Sequence, residues 1–121
     1  MDKLSPALKL KSVKNQTEIN NIKRAHVLDG IAMTKFIYWL KNNVGKEYMD
    51  ELLLERKLEE FRSLAESYIE PSFPPIVGYR EHGAIVHYSA TEKTNYCITD
   101  ESMVLIDSGG HYLEGTTDIT R

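Results

Sequence analysis

Apolar residues recur with helical spacing from residue 19 to residue 40. At 100° per residue they collect on one face of a helix, together with one histidine. That face contains Ile19, Ile22, Ala25, His26, Met33, Phe36, Ile37 and Leu40. Asn15 followed by Glu18 predicts a capping box at the start, and Gly45 predicts the end. Further apolar residues such as Val27, Ile31 and Tyr38 widen the face, so we expect this helix to be covered on more than one side.

A second helix is predicted from about residue 52 to residue 68. Its apolar face has the alternating 4-3-4-3 spacing of a helix stripe and contains Leu54, Leu58, Phe61, Ala65 and Tyr68. Pro71 and the later pair Pro74-Pro75 prevent its continuation. The first dozen residues are mixed in character and include Pro6, which predicts a linker or a lead-in strand over residues 1–14.

Short β-rich runs replace the helical pattern beyond Pro75. They are Ile76–Gly78, Ala84–Tyr88, Tyr96–Thr99 and Met103–Asp107. Residues 104–107 and 116–120 bracket three glycines and are typical of two antiparallel strands. The order of two helices followed by strands predicts an α+β fold, with the helices packed on one face of an antiparallel sheet.

Composition limits the functional classes. The 121 residues suggest one domain, and a formal net charge of −3 gives no basic excess for nucleic acid. No apolar run is long enough to span a membrane, and residues 1–6 lack the apolar core expected of a secretory signal. A single cysteine, Cys97, excludes an internal disulfide framework and fits a reducing compartment. We therefore expect a soluble, cytoplasmic protein without nucleic-acid or membrane partners.

Asp107 and Asp118 are the residues most suggestive of chemistry. Each lies within an apolar or β-branched run, where a core-facing carboxylate is costly unless it is neutralised. Two carboxylates brought together across a hairpin repel each other, and a divalent cation would remove that repulsion. The alternative from spacing alone is that both residues face solvent or cap turns.

The sequence around these two residues resembles that of a known family. The runs Leu105–Tyr112 and Gly115–Arg121 closely resemble the Xaa-Pro aminopeptidases, which belong to the pita-bread metallopeptidases with prolidase, methionine aminopeptidase and creatinase. Gly83–Tyr88 is similar to the substrate-facing strand of that family. Further matches, covering most of the chain from Ser5 onwards, are Lys14-Asn15, Glu18-Ile19, Arg24–His26, Asp29-Gly30, Trp39-Leu40 and Glu59–Arg62.

The resemblance implies a site and a reaction. In that family two Asp, one His and two Glu hold two metal ions; the match makes Asp107 a ligand of one ion and Asp118 a bridge between both. His87 matches the imidazole that faces the substrate and stabilises charge developing on the intermediate. Oxygen-rich ligation favours manganese, with cobalt or zinc as substitutes. The implied substrate is a peptide with proline at its second position, which loses its N-terminal residue to a metal-activated hydroxide.

The resemblance also implies that the sequence is part of a larger enzyme. The remaining His and Glu ligands of the family lie beyond Arg121, so we expect residues 15–121 to form the first half of a pita-bread catalytic domain. Such a half should bind a divalent ion weakly, have little activity alone and leave apolar surface bare. That surface favours a homo-oligomer.

Two alternative functions remain open. Some pita-bread relatives have lost their metals and bind peptides or proteins, although the presence of Asp107, Asp118 and His87 argues against this for the parent protein. A prolidase-type or creatinase-type relative would share the architecture and act on another substrate.

Other polar residues have structural interpretations. His26 and Asp29 are expected to form a buried pair that fixes helix docking. His82 and His111 are expected in solvated loops or turns, and Cys97 as a small hydrophobe. Ser108 has neither a nucleophile elbow nor an evident base, so it is not expected to be a nucleophile.

Overall fold

The computed structural model of the chain describes residues 5–121. Three α-helices come first: α1 (Pro6–Ser12), α2 (Gln16–Asn43) and α3 (Glu51–Arg62). The strands follow as β1 (Tyr68–Pro71), β2 (Ile76–Tyr79), β3 (Val104–Ser108), β4 (Gly110–Tyr112), β5 (Gly115–Thr116) and β6 (Ile119–Thr120). A short 3-10 helix, Arg80–Ala84, comes directly after β2. The predicted α+β class is confirmed.

The predicted start of the long helix is confirmed atom by atom. The Asn15 side chain accepts a hydrogen bond from the Glu18 backbone N–H at 2.9 Å, and the Glu18 carboxylate accepts one from the Asn15 N–H at 2.9 Å. These bonds satisfy two backbone donors that a helix start leaves free. The helix ends at Asn43, where the Val44 N–H donates to the Leu40 carbonyl.

One side of α2 packs on α3 and on β5, and its side chains share a core with those of β2 and β3. The core there is made of Met33, Phe36, Leu40, Met49, Leu54, Leu58, Val77, Tyr79, Ile98 and Ile106. On the other side, Val27 is 61 % exposed, Ile31 49 % and Tyr38 72 %. The expectation that α2 is covered on more than one side is therefore not met by residues 5–121.

Two boundary predictions were wrong. Residues 6–12 form α1 and neither a linker nor a strand, because proline at a first helical position has a backbone angle that fits the helix. The helix predicted to reach residue 68 ends at Arg62. Turn bonds replace it, from the Ala65 N–H to the Arg62 carbonyl and from the Tyr68 N–H to the Ala65 carbonyl. Tyr68 then begins β1, which pairs with β4, so pairing between distant strands overrides the helical spacing.

The strands form two small antiparallel sheets, ordered β1-β4-β5 and β2-β3-β6. β3 has β2 on one side and β6 on the other, which leaves no place beside it for the predicted strand at 84–88. That segment instead continues from the 3-10 helix into a turn. The predicted strand at 96–99 is reduced to one bridge between Cys97 and Asp50, and Cys97 is exposed.

Candidate metal centre

Asp107 and Asp118 lie on the two arms of one hairpin. One arm consists of β3 and β4, and the other consists of β5 and β6. In β3 and β6, Asp107 is opposite Thr120, and the Thr120 hydroxyl donates a 2.7 Å hydrogen bond to the Asp107 carboxylate. Asp118 directly precedes β6 and is exposed. Towards the hairpin tip the same two arms continue as β4 and β5.

The two arms cross from one sheet to the other at Gly109 and Gly110. The Thr117 N–H donates to the Gly110 carbonyl at 2.9 Å, and the Gly110 N–H donates to the Thr117 hydroxyl at 2.9 Å. The register is the same in β3–β6 and in β4–β5, which places Asp118 opposite Gly109.

Gly109 is required by the close approach of the arms. A Cβ at this position would lie 2.0 Å from the Thr117 carbonyl oxygen and 2.3 Å from the Ser72 hydroxyl. The Ser72 hydroxyl donates to the Thr117 carbonyl at 2.9 Å, and the Ser72 N–H donates to the Gly109 carbonyl at 3.1 Å. Ser72 thus joins both arms beside the two aspartates.

His87 and Asp107 line one open cleft of about 260 Å³, together with Thr120. The remaining lining residues are Ile76, Gly83, Ala84, Ile85, Val86 and Leu105. His87 is exposed and has a φ of 55°, in the left-handed region that non-glycine residues rarely adopt. Strained backbone of this kind is common at functional sites. Asp118 does not line this cleft.

The expected partnership of His26 and Asp29 was wrong. His26 is exposed, and its Nδ1 lies 2.9 Å from the Ile22 carbonyl in its own helix. Asp29 is fully buried, as expected, but pairs with Arg62 on α3 at 2.6 Å. The Arg62 guanidinium also donates to the Ser108 hydroxyl at 3.1 Å, so Ser108 has a structural partner.

The expectation of a solvated His82 was also wrong. His82 is 8 % exposed, its Nδ1 lies 2.8 Å from the Glu51 carboxylate, and its ring packs between the rings of Tyr88 and Tyr96. His111 is partly exposed, with Nδ1 2.8 Å from the Thr116 hydroxyl.

Glu51 is a polar centre that sequence reasoning missed. Its fully buried carboxylate accepts hydrogen bonds from the Tyr79 N–H, the Tyr88 hydroxyl and the Tyr96 N–H at 2.8, 2.8 and 3.1 Å, in addition to the His82 contact. These bonds tie α3 to both ends of the segment that carries His87. A glutamate in the first turn of a helix gives no sequence signal of such a role, because acidic residues are common there.

The carboxylates of Asp107 and Asp118 are of the right chemical type for a hard divalent cation, but two carboxylates are too few to hold one firmly. Carboxylate oxygens are the ligands such ions prefer. Within residues 5–121, however, no three His, Cys, Asp or Glu side chains are grouped so that they could hold a metal ion. The carboxylates of Asp107 and Asp118 have the chemistry of such ligands, and the described residues add no third ligand beside them.

Comparison with known proteins identifies the family. The model of metallopeptidase family M24 matches residues 20–121. The chain belongs to the M24 metallopeptidases. Among curated relatives, the Xaa-Pro aminopeptidase ApepP of Drosophila melanogaster is 38 % identical over 122 residues, and human Xaa-Pro aminopeptidase 2 is 38 % identical over 120 residues. The resemblance to Xaa-Pro aminopeptidases is confirmed.

Solved structures agree with this M24 assignment. A cytosolic X-prolyl aminopeptidase with a di-nuclear active site, from Caenorhabditis elegans, superposes on 97 % of the chain with a TM-score of 0.92 and 33 % identity. Escherichia coli aminopeptidase P superposes on 89 % of it with a TM-score of 0.71 and 30 % identity. These likenesses confirm a partial pita-bread fold.

The chain spans only about a fifth of these M24 proteins. It covers 20 % of the Drosophila protein, 18 % of the human protein, 19 % of the C. elegans chain and 22 % of the E. coli chain. Within residues 5–121, no helix combines the length and the apolar character needed to cross a bilayer.

Proposed function

We propose that this chain supplies one side of the metal centre of an Xaa-Pro aminopeptidase, with Asp107 and Asp118 as metal ligands. The observation that carries the proposal is the orientation of their chain neighbours. Ser108 and Thr117 are fully buried and bonded to the Arg62–Asp29 pair beneath the hairpin. Since side chains alternate along extended chain, both aspartates are directed to the opposite, open face.

Register supports the same conclusion. Asp118 lies two positions before Thr120, the residue that faces Asp107. In an antiparallel ladder such diagonal neighbours share a face and are separated by about 7 Å. That spacing suits two carboxylates that hold one ion or two adjacent ions between them.

The cleft suggests where a substrate would lie. His87 and Asp107 both line it, so a peptide carbonyl bound there would be next to an imidazole and to a metal ligand. Divalent ions held by the aspartates would supply a nucleophilic hydroxide at neutral pH. The His87 ring would donate a hydrogen bond to the carbonyl oxygen as charge develops on it.

The proposal extends to the substrate, the metal ions, the location and the assembly. The substrate is a peptide with proline at its second position, and the ions are two manganese ions, with cobalt or zinc as substitutes. The location is cytoplasmic, like that of the C. elegans enzyme. A homo-oligomer would cover the exposed apolar side of α2. In this proposal residues 15–121 are the first half of the catalytic unit and residues 1–14 lead into it; residues 1–4 of that segment lie outside the described residues.

A segment exchange tests the function. In the C. elegans X-prolyl aminopeptidase, the matching segment is replaced by this chain, and Mn²⁺-dependent hydrolysis of an Xaa-Pro peptide is measured. We expect a folded, active hybrid, and loss of hydrolysis in the Asp107→Asn and Asp118→Asn versions. The isolated 121-residue chain should give background rates, because it contains only two of the five family ligands.

The outcomes separate the candidate functions. A folded hybrid that binds Mn²⁺ but hydrolyses another class of substrate would favour a prolidase-type or creatinase-type activity. A folded hybrid that neither binds Mn²⁺ nor hydrolyses peptides would favour a metal-free binding module. Robust turnover by the isolated chain would show that fewer ligands are needed than proposed.

A further inference from the structure

A buried cluster of polar side chains lies beneath the hairpin that carries the proposed ligands. We call it the Asp29 cluster; it consists of Asp29, Arg62, Ser108, Tyr112 and Thr117. The Asp29 carboxylate accepts hydrogen bonds from Arg62 Nε at 2.6 Å, from the Tyr112 hydroxyl at 3.1 Å and from the Thr117 hydroxyl at 2.6 Å. All five residues are at most 4 % exposed.

Two hydroxyl residues of the cluster are chain neighbours of the proposed ligands. Ser108 follows Asp107, and Thr117 precedes Asp118. The Ser108 hydroxyl accepts a hydrogen bond from the Arg62 guanidinium at 3.1 Å. The Thr117 hydroxyl donates one to the Asp29 carboxylate at 2.6 Å. One ion pair between α2 and α3 therefore holds both arms of the hairpin from below.

The third hydroxyl of the cluster, that of Tyr112, also bonds to the ion pair, but Tyr112 is not a chain neighbour of a proposed ligand. Tyr112 donates to Asp29 from β4, and no proposed ligand lies next to it in the chain. Burial and the nearby Asp29 charge raise the pKa of Tyr112, which keeps its hydroxyl protonated as a donor. Tyr112 thus provides a matched comparison within the cluster.

Energetics favour a geometric role for the ion pair. A buried ion pair is weak evidence for stability, because well-packed apolar side chains of similar volume often serve as well or better. Apolar replacements would fill the same space but could not bind the two hydroxyls. What the Asp29–Arg62 pair adds is a common anchor to which both arms are hydrogen-bonded.

We propose that the Asp29 cluster positions the aspartates, with Asp29 and Arg62 as positioning residues that set the separation of the Asp107 and Asp118 carboxylates. The proposal rests on the proposed function, since it requires that these carboxylates bind a divalent cation. The proposal has a specific consequence. Removing the hydroxyl of Ser108 or of Thr117 weakens cation binding, whereas removing the hydroxyl of Tyr112 does not.

Mn²⁺ alone, added below stoichiometry to the ¹⁵N-labelled chain, tests this. Bound Mn²⁺ broadens nearby amide signals. When binding is weak relative to the protein concentration, as expected for this chain, the initial slope of broadening against Mn²⁺ is proportional to affinity. Only signals of the folded chain are read. The variants are Thr117→Val, Ser108→Ala and the matched Tyr112→Phe, with Asp107→Asn as the ligand control.

We expect the slope at the amides of residues 107 and 118 to fall about tenfold in Thr117→Val and in Ser108→Ala, the lower end of the range for groups that orient metal ligands. Tyr112→Phe should stay near the wild-type slope. If Thr117→Val fails to fold, the comparison of Ser108→Ala with Tyr112→Phe decides.

Equal losses in all three variants would overturn the positioning role, as would unchanged slopes in Thr117→Val and Ser108→Ala. Failure of the proposed function gives a different pattern. In that case the wild-type chain shows no selective broadening at residues 107 and 118, or Asp107→Asn leaves the slope unchanged. That pattern overturns the positioning proposal together with the function.

Discussion

The hydroxyl of Thr117 lies 2.6 Å from the carboxylate of Asp29, although 88 positions separate them in the chain. This bond joins the middle of the long helix α2 to the arm of the hairpin that leads into Asp118. It also explains why a carboxylate can be fully buried in α2, since each of its oxygens has donors.

Removal of the Asp29 carboxylate should strongly destabilise the fold. Asp29→Ala leaves the Arg62 guanidinium buried without its charged partner, and breaking such a pair costs about 3–5 kcal/mol. Urea unfolding followed by circular dichroism measures the loss. Glu101→Ala is the control, because its ion pair with Arg80 is solvent-exposed and should contribute little. Equal effects of the two substitutions would contradict this account of the Asp29 cluster.

An alanine at residue 109 should open the hairpin. Its Cβ would lie 2.0 Å from a carbonyl oxygen of the opposite arm, so the arms must separate, at a cost of about 3 kcal/mol in unfolding free energy. Gly30→Ala is the matched control. Gly30 lies within α2 and has open space around it, so alanine there should stabilise by about 0.5–1 kcal/mol. A Gly109→Ala chain with wild-type stability would contradict the close approach of the arms.

The sequence predicted α2 well, because its signals are local. The capping box and the 3.6-residue spacing act within a few positions of each other, as with Asn15 and Glu18. The polar clusters could not be predicted in this way. His82 is in a loop by sequence, yet its partner Glu51 is 31 positions away. The two meet only because α3 packs against β2, which the 3-10 helix directly follows. The runs around Asp107 and Asp118 were recognisable only through family resemblance, since two aspartates eleven positions apart are a weak signal.

Replacement of Glu51 by glutamine should be costly despite the similar shape. Both carboxylate oxygens accept hydrogen bonds, so the amide nitrogen of a glutamine would face buried donors in either orientation. We expect a loss of about 2–4 kcal/mol in unfolding free energy. Glu59→Gln, an exposed change on the same helix, should be nearly neutral. Urea midpoints of the two variants make the comparison, and indistinguishable midpoints would show that the Glu51 contacts are not stabilising.

Glu55 should make stability depend on pH. Burial, and then the charge of Glu51, raise the pKa of Glu55 from 4.5 to about 7. Between pH 4.5 and 7 the folded chain keeps a proton that the unfolded chain has lost, so stability falls as pH rises through this window. The fall from this group is at most about 3 kcal/mol, and smaller because the side chain is partly exposed.

A glutamine at residue 55 separates this contribution from the rest. Glu55→Gln carries no proton equilibrium, so its stability should fall less between pH 4.5 and 7 and should exceed that of the wild type above pH 7. Urea midpoints measured across this range report the difference, with Glu59→Gln as the unchanged control. Parallel pH profiles for the wild type and Glu55→Gln would refute the assignment.

The most direct measurement of the central claim is a crystal structure of the chain grown with Mn²⁺, with anomalous scattering recorded at the manganese edge. The account predicts an anomalous peak on the open face of the β3–β6 hairpin, within coordination distance of carboxylate oxygens from both Asp107 and Asp118. Well-ordered Asp107 and Asp118 side chains that point to opposite faces, with no peak between them, would contradict it.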